Sequence, residues 1–323
     1  MKKLLFLFIP LLLASCSIGG NCDCEAPDEA FVPIKGLNLD NFPLIDGSTS
    51  TAHLRMIVAC KLLDIPYEWN SWTLLGEWQV VPDYELLPEA DLNKLREKVK
   101  TSQTHGAFMN LIAGSTDLIL THRTLSPDEL AHAQEKGVTL VETPIASDGF
   151  VFVVNPKNSV KSLSLSQIRD IYTKKITKWN EVGGSSALMR VYTRPRNSGS
   201  EEVMRELVMK GLETAEFPES AIVSMAGVFP EVKYNENTIC YTFNNYKEMI
   251  ARCPDTDVAR VAVNGVFPDE KNIANGSYPL ISHVYVAIRA DQPATSTARK
   301  LYDWLCSPAV SGSLREAAFI RIK

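Results

Sequence analysis

Residues 42–63 read FPLIDGSTSTAHLRMIVACKLL: a short apolar run, a loop of glycine and hydroxyl residues, then an apolar stretch of helical length. The run at 42–45 predicts a strand, and the helix that follows would bury Leu54 and Ile57. Short apolar runs alternate with amphipathic stretches in the same way along the rest of the chain. This alternation predicts an α/β fold with mainly parallel sheets, in which ligands lie where strands end and helices begin.

The other elements carry ordinary local signals. Ser164 followed by Gln167 is a capping box, which predicts the start of a helix. Apolar runs predict further strands at 118–120, 149–154 and 189–192, and helical spacing predicts helices at 91–100, 106–113 and 200–209. Two of these helices follow loops that resemble the one in residues 42–63.

Three strand-to-helix junctions therefore combine hydroxyl residues with a glycine: the first at 47–51, the second at 101–104 just before Gly106, and the third at 194–200. A helix N-terminus carries about half a positive charge and free backbone N–H groups, so an anion gains hydrogen bonds and a favourable dipole there. Three such ends that converge would enclose a tetrahedral oxyanion. Each junction alone also has a structural explanation, because serine and threonine are preferred N-caps and Ser198 with Glu201 fits a capping box.

Two residues of the third junction favour a ligand. Gly199 falls in the first helical turn, where glycine costs about 1 kcal/mol relative to alanine. A ligand that approaches the backbone closely would explain a glycine there. Arg194 would lie at the end of the preceding strand, where its guanidinium can bind an oxyanion through two hydrogen bonds.

The N-terminus has the pattern of an export signal. Two lysines precede an apolar run at 4–13 that is too short to span a bilayer, and the run ends LASC. This ending resembles the bacterial lipobox, so residues 1–16 are predicted to be a lipoprotein signal peptide with Cys16 as the lipidated residue. An ordinary signal peptide that contains a cysteine is the alternative. Residues 17–38 are acidic and poor in large apolar side chains, and predict a flexible tether.

The composition excludes some classes of function. A net charge of −5 makes nucleic acid a poor partner, but backbone N–H groups and hydroxyls can still hold a small anion. The histidines show no metal spacing, and Cys22 and Cys24 have no second ligand pair nearby, so we expect no metal site and no cofactor. Cys60 is predicted to be a buried free thiol; the pairing of the remaining cysteines, which include Cys240, Cys253 and Cys306, stays open.

Several segments together resemble the phosphate-binding proteins of phosphate ABC transporters, in the class II periplasmic-binding-protein superfamily. They are DGSTS at 46–50, DGFVFVVN at 148–155, ITKWNEVGG at 176–184, RPRNSGS at 194–200 and GSYPL at 276–280. The resemblance runs from about residue 40 to the C-terminus. It implies two α/β lobes joined by two hinge crossovers, with lobe 1 formed by residues 39–145 and 280–323 and lobe 2 by residues 146–279.

The resemblance also implies a function and a set of contacts. The chain would be the lipid-anchored component of an ABC importer, a monomer that faces the periplasm, binds inorganic phosphate and delivers it to a membrane permease. Both lobes would contribute to the phosphate site. The implied contacts are Ser48, Thr49, Ser50, Thr104 (or less surely Gln103), His122, Arg123, Arg194, Ser198, Gly199 and Ser200.

The loop after Leu120 departs from the family pattern. The best-studied members have an aspartate there, which accepts a proton from hydrogen phosphate and repels sulfate, whereas this chain has His122 and Arg123. Histidine can donate or accept, so we expect less strict discrimination against sulfate, with Arg123 as the alternative contact. Arg196 stands where some members have an acidic residue. Both changes add positive charge to the cleft, so we still expect an anionic ligand. The candidates are phosphate, arsenate, sulfate and larger oxyanions.

Two other classes of function fit parts of the sequence. A phosphoester hydrolase would need a metal cluster or a nucleophile beside a base, and no histidine is near Ser198 or Ser200 in the sequence. A surface receptor or scaffold of the same fold would bind another oxyanion or no small ligand. Turnover of a chromogenic phosphoester would favour the hydrolase, and tight phosphate binding would speak against the scaffold.

Overall fold

The computed structural model describes residues 31–71, 76–217, 222 and 224–322, so Cys16, Cys22 and Cys24 lie outside the described residues. Its strands are β1 (Ile45–Gly47), β2 (Tyr67–Asn70), β3 (Gln79–Pro82), β4 (Leu118–Thr121), β5 (Leu140–Val154), β6 (Ser162–Leu163), β7 (Arg190–Val191), β8 (Thr238–Phe243), β9 (Ala259–Val263), β10 (Ile281–Arg289) and β11 (Ile320–Arg321). Its α-helices are α1 (Ala52–Leu63), α2 (Glu89–Lys98), α3 (Gln103–Ala113), α4 (Pro127–Glu135), α5 (Leu165–Tyr172), α6 (Gly199–Val203), α7 (Val228–Tyr234), α8 (Glu270–Ala274), α9 (Thr297–Cys306) and α10 (Ser311–Glu316). A π-helical segment, Met204–Met209, continues α6 directly.

One mixed sheet runs through the molecule in the order β1-β4-β10-β5-β8-β7. The long strand β5 connects its two parts: residues 140–149 pair with β10, and residues 150–154 pair with β8. The chain thus passes from one lobe to the other within β5 and returns at the start of β10. These two strands are the hinge crossovers.

The sheet is not mainly parallel, and that expectation was wrong. The pairs β1–β4, β6–β9 and β7–β8 are parallel. The crossover strands β5 and β10 instead run antiparallel to each other, and β10 is antiparallel to β4 as β5 is to β8. The cause is the crossing itself, because one strand leaves the first lobe and its neighbour returns to it in the opposite direction.

Two main hydrophobic cores lie on either side of the crossovers. The core of lobe 1 includes Phe42, Leu54 and Leu301, and the core of lobe 2 includes Phe152 and Trp179. Burying a large apolar side chain contributes about 1.5–3 kcal/mol, so each lobe has its own source of stability. A cleft between two independently packed lobes can open and close without disrupting either core.

The local predictions agree with the structure except at element ends. The strand predicted at 42–45 begins only at Ile45, and the helix predicted at 200–209 begins at Gly199. The capping box of Ser164 is confirmed, and Cys60 is a buried free thiol. Within the described part of the chain, no helix combines the length and the hydropathy that crossing a bilayer requires.

Candidate functional site

The first junction is a buried loop between β1 and α1. The Ser48 hydroxyl oxygen lies 3.1 Å from that of Ser50, and the Ser48 backbone N–H donates to the carbonyl of Leu120 at 3.1 Å. A Cβ at Gly47 would lie 2.1 Å from the same carbonyl oxygen, so only glycine fits here. The turn of 3₁₀ helix Thr49–Thr51 precedes α1, which leaves the first backbone N–H groups without intrahelical partners.

Two buried charged residues join the first and second junctions, and sequence analysis missed both. The Asp46 carboxylate accepts hydrogen bonds from the backbone N–H groups of Gly47 at 2.7 Å and Ser102 at 2.8 Å. The Arg55 guanidinium donates to the Ser48 carbonyl at 3.0 Å and to the Thr101 hydroxyl at 2.7 Å. Burial lowers the pKa of Arg55 to about 10, so it keeps its charge at neutral pH. The available signal was a single arginine in an otherwise apolar helical stretch.

His122 connects the first junction to the crossover strand β5. Its side chain is buried and stacks on Phe243, with ring centres 4.1 Å apart. The Nδ1 atom lies 2.7 Å from the Ser50 hydroxyl oxygen, and Nε2 lies 3.2 Å from the Asp148 carboxylate. The histidine therefore contacts a predicted ligand residue rather than standing alone at the strand end.

Arg123 is already paired within its own lobe. Two guanidinium nitrogens donate to the Glu129 carboxylate at 2.6 and 2.9 Å. Burial opposes ionisation of Glu129, but the hydrogen bonds and charge of Arg123 outweigh it and lower the pKa of Glu129. Arg123 also donates to the backbone carbonyl of Asn197 in lobe 2 at 3.2 Å. Its charge is thus balanced, and its role as a phosphate contact stays a prediction.

Arg194, in the third junction, differs from Arg123 in this respect. The residue is 8% exposed, and its Nε and Nη1 atoms are buried without a hydrogen-bond partner in the described part of the chain. Burial lowers the pKa of this guanidinium. A buried cation without an acceptor costs several kcal/mol, so an anion placed against these two nitrogens would be stabilised strongly.

The predicted capping box at the third junction is only half formed. The Ser198 hydroxyl accepts the Glu201 backbone N–H at 3.2 Å. The Glu201 carboxylate, however, bonds to the Tyr241 hydroxyl and to the Arg194 backbone N–H. Burial raises the pKa of Glu201, against the opposing effect of the Tyr241 hydrogen bond. This carboxylate therefore holds the backbone of Arg194, while the Nε and Nη1 atoms of its guanidinium have no partner among the described residues.

The third junction lies directly against lobe 1. A Cβ built on Gly199 would come within 2.6 Å of the Thr104 hydroxyl oxygen at the start of α3. The Asn197 side chain donates to Asp128 at 2.8 Å, next to the contact that Arg123 makes. The close approach of the two lobes thus favours a glycine at this position, which sequence analysis attributed to a ligand. The buried Ser200 hydroxyl has no partner in the described residues.

These contacts connect the three junctions into one ring. Ser50 contacts His122, its neighbour Arg123 contacts Asn197, and Gly199 faces Thr104. Asp46 and Arg55 complete the ring between the first and second junctions. Six of the predicted contacts belong to this ring: Ser48, Ser50, Thr104, His122, Arg123 and Gly199. The other four, Thr49, Arg194, Ser198 and Ser200, belong to the first and third junctions, and their role as phosphate contacts stays a prediction.

A cavity of about 1330 Å³ opens beside this ring. Four arginines line the cavity, namely Arg123, Arg194, Arg196 and Arg205. Acidic residues of α6 and of the segment after it also line the cavity. Arg196 is exposed. Among the described residues, no group of three or more histidine, cysteine, aspartate or glutamate side chains is arranged to hold a metal ion.

Comparisons with known sequences find related proteins. The family model of the PBP superfamily domain matches residues 78–309. The phosphate-binding protein PstS of Bacillus subtilis is 27% identical over 187 residues, which are 54% of this chain and 55% of that protein. The protein of the same name from Staphylococcus saprophyticus is 30% identical over 227 residues, 65% of this chain and 70% of that protein. The alignments thus span from about half to somewhat over two thirds of these relatives.

Solved structures extend the similarity over most of the fold. A Clostridium perfringens structure, described as a phosphate ABC transporter substrate-binding protein with bound phosphate, has a TM-score of 0.63 at 25% identity, and covers 87% of this chain and 99% of its own. An ABC-type phosphate transport receptor from Vibrio cholerae has a TM-score of 0.60 at 21% identity, with 86% and 99% covered, and speaks for the fold alone. The predicted two-lobed α/β fold is confirmed.

Proposed function

This chain belongs to the PBP superfamily, with phosphate-binding proteins among its relatives, and on that premise we propose that it binds inorganic phosphate between its lobes as the substrate-binding component of an ABC importer. The relatives are named for binding, and the family is not one of enzymes. The following contacts, with their charges, support the choice of ligand.

The guanidinium of Arg194 is the observation that carries the proposal. Its two buried nitrogens without a partner are donors that suit two oxygens of one tetrahedral anion. The Ser200 hydroxyl, also buried without a partner, lies six residues further along the same junction. Phosphate offers enough acceptor oxygens to satisfy both residues and the first N–H groups of the helix that begins at Gly199.

Closure of the lobes would complete the site. Thr104 and the first junction belong to lobe 1, whereas Arg194 and the rest of the third junction belong to lobe 2. An anion held by both sides has its full set of contacts only when the lobes approach, as they do at Gly199. Phosphate then favours the closed state by the difference between its affinities for the two states.

The location and partners follow from the same proposal. The chain would work outside the cytoplasm, in the cell envelope, with Cys16 as its lipid anchor and a membrane permease as the acceptor of phosphate. Support for the anchor comes from the basic start, the short apolar run and the LASC sequence that ends it. We expect lobe 1 and lobe 2 of a single monomer, with the boundaries given above, to form the complete site.

Calorimetric titration of the chain without its signal peptide tests the proposal. We expect one phosphate per chain, with arsenate as a competitor of the same shape and charge. A parallel incubation with a chromogenic phosphoester should give no sustained turnover. No heat of phosphate binding, or sulfate bound more tightly than phosphate, would contradict the proposed ligand; sustained turnover would favour the hydrolase instead.

A further inference from the structure

Three buried side chains form a continuous hydrogen-bonded chain from the first junction to β5. The Ser50 hydroxyl oxygen lies 2.7 Å from His122 Nδ1, and His122 Nε2 lies 3.2 Å from Asp148 Oδ2. All three residues are at most 4% exposed. Because Phe243 also covers one face of the imidazole, water has little access to these bonds. Each member of the chain must therefore be satisfied by neighbouring protein groups or by a ligand.

Asp148 sets the direction of the hydrogen bonds. Its Oδ1 accepts the backbone N–H groups of Gly149 at 2.7 Å and Asn245 at 3.0 Å, which leaves Oδ2 for His122. An ionised carboxylate can only accept, so the imidazole proton lies on Nε2. In the neutral imidazole Nδ1 is then an acceptor, and it takes the hydroxyl proton of Ser50.

The neighbours of Ser50 leave it a lone pair. Thr51 donates its hydroxyl proton to the Leu120 carbonyl at 2.8 Å and accepts from Arg55 at 2.6 Å. The Ser48 hydroxyl, within 3.1 Å of the hydroxyl oxygens of Ser50 and Thr51, can donate to either one. Even if Ser48 donates to Ser50, one of the two lone pairs of the Ser50 oxygen stays available to a ligand. The Ser50 hydroxyl proton is not available, because His122 Nδ1 accepts it.

We infer that the Ser50 hydroxyl oxygen accepts a hydrogen bond from a protonated oxygen of the bound anion, and that the relay through His122 to Asp148 thereby selects phosphate against sulfate. The inference rests on the proposed function, since it assigns a role within the same cleft. Phosphate keeps a proton near neutral pH and sulfate keeps none, so sulfate would place an oxygen lone pair against that of Ser50. A site built to bond a ligand O–H strongly rejects an analogue that lacks it.

This arrangement changes the role expected for His122. The sequence suggested that replacing the family's aspartate by histidine would relax discrimination. In the relay, His122 is a positioning residue that acts through Ser50, and the carboxylate that makes it an acceptor is Asp148. The relay then discriminates against sulfate through a hydroxyl acceptor in place of a direct carboxylate.

Asp148→Asn reverses the relay with little change in shape. The amide oxygen can keep both backbone N–H bonds, which turns the amide nitrogen, a donor, toward His122 Nε2. The imidazole proton then moves to Nδ1, and Ser50 donates its own hydroxyl proton to the anion. Asp117→Asn is the matched control, because Asp117 accepts the Leu44 backbone N–H at 2.7 Å at the opposite end of β4 from the cleft.

Calorimetry at pH 8, where an ordinary imidazole is neutral, measures the Kd for phosphate and for sulfate. We expect the ratio of the sulfate Kd to the phosphate Kd to fall by about tenfold or more in Asp148→Asn, which is about 1.4 kcal/mol, and to stay unchanged in Asp117→Asn. Nitrogen NMR of His122 should show the proton on Nε2 in the wild type and on Nδ1 in Asp148→Asn.

A second variant keeps the inference testable if Asp148→Asn does not fold. Ser50→Ala removes the acceptor and should lower the same ratio. A wild-type ratio in Ser50→Ala, or a wild-type His122 with its proton on Nδ1, would overturn the relay while leaving the proposed function intact. Failure of the wild type to bind phosphate at all would overturn the proposed function, and the relay with it.

Discussion

The guanidinium of Arg194 should contribute more to anion binding than any other side chain of the cleft. Arg194→Ala removes two buried donor nitrogens that have no partner in the described residues. Hydrogen bonds to charged groups contribute about 1.5–3 kcal/mol each, so two of them amount to about 3–6 kcal/mol. At about 1.4 kcal/mol per factor of ten, phosphate binding should weaken by about 100-fold or more.

Arg196→Ala is the matched control for this change. It removes the same charge two residues away, but from an exposed side chain. Exposed charges contribute about 0–1 kcal/mol to an ion pair, so the phosphate Kd should rise by no more than about fivefold. Calorimetric titration of the wild type and both variants, at one ionic strength, measures the difference.

Thermal unfolding without phosphate separates loss of binding from loss of fold. Removing a buried cation that has no acceptor relieves a cost in the free protein, so Arg194→Ala should unfold at the same temperature as the wild type or higher. Equal phosphate affinity in Arg194→Ala and the wild type would refute the reasoning. So would equal losses in the two arginine variants, because the effect would then be general charge rather than contact.

Two further changes test the closure of the lobes and a buried histidine. Gly199→Ala puts a Cβ within 2.6 Å of the Thr104 hydroxyl oxygen, so it should weaken phosphate binding by about tenfold, or about 1.4 kcal/mol. It should also reduce the compaction that X-ray scattering detects when phosphate is added. Wild-type affinity and compaction in this variant would contradict the assignment of this contact. Burial lowers the pKa of His53 from 6.5 to about 3, so the unfolded chain binds a proton below pH 6.5 that the folded chain does not. The free energy of unfolding should therefore fall by about 2 kcal/mol between pH 7 and pH 5 through this residue. Urea denaturation of His53→Phe should show a shallower fall, and an identical slope would show that His53 does not titrate as its burial implies.

The parts of the fold that were predictable carry local signals. The capping box at Ser164 and the apolar helix that contains Cys60 can each be recognised within a few residues of sequence, and both are present. The antiparallel pairing of β5 with β10 has no such signal, because an apolar run has the same composition in either direction. Only the path of the chain between two lobes determines which neighbours a crossover strand has.

The candidate site also contains residues that local sequence signals identified and residues that had no such signal. Hydroxyl and glycine residues at helix starts, and Arg194 before one of them, indicated an anion site by their chemistry and spacing. The residues that orient them lie far away in the sequence: Asp148 is 26 residues from His122, and Tyr241 is 40 residues from Glu201. Spacing cannot reveal such pairs, which form only when the strands that carry them meet.

Gly199 was predicted to lie at a close contact, but the explanation that the sequence offered for it was incomplete. A glycine in the first turn of a helix indicated close approach by something, and a ligand was the local explanation. In the folded chain, Thr104 of the other lobe lies against it. The glycine thus serves the closed arrangement of the lobes, on which the proposed phosphate site depends.

A crystal structure of the chain with phosphate tests the central claim most directly. The account predicts one phosphate between the lobes, with its oxygens about 2.7–2.9 Å from the Arg194 guanidinium and within hydrogen-bonding distance of hydroxyl groups from the first and third junctions. Phosphate bound to one lobe alone, with the Arg194 guanidinium turned away from it, would contradict the account.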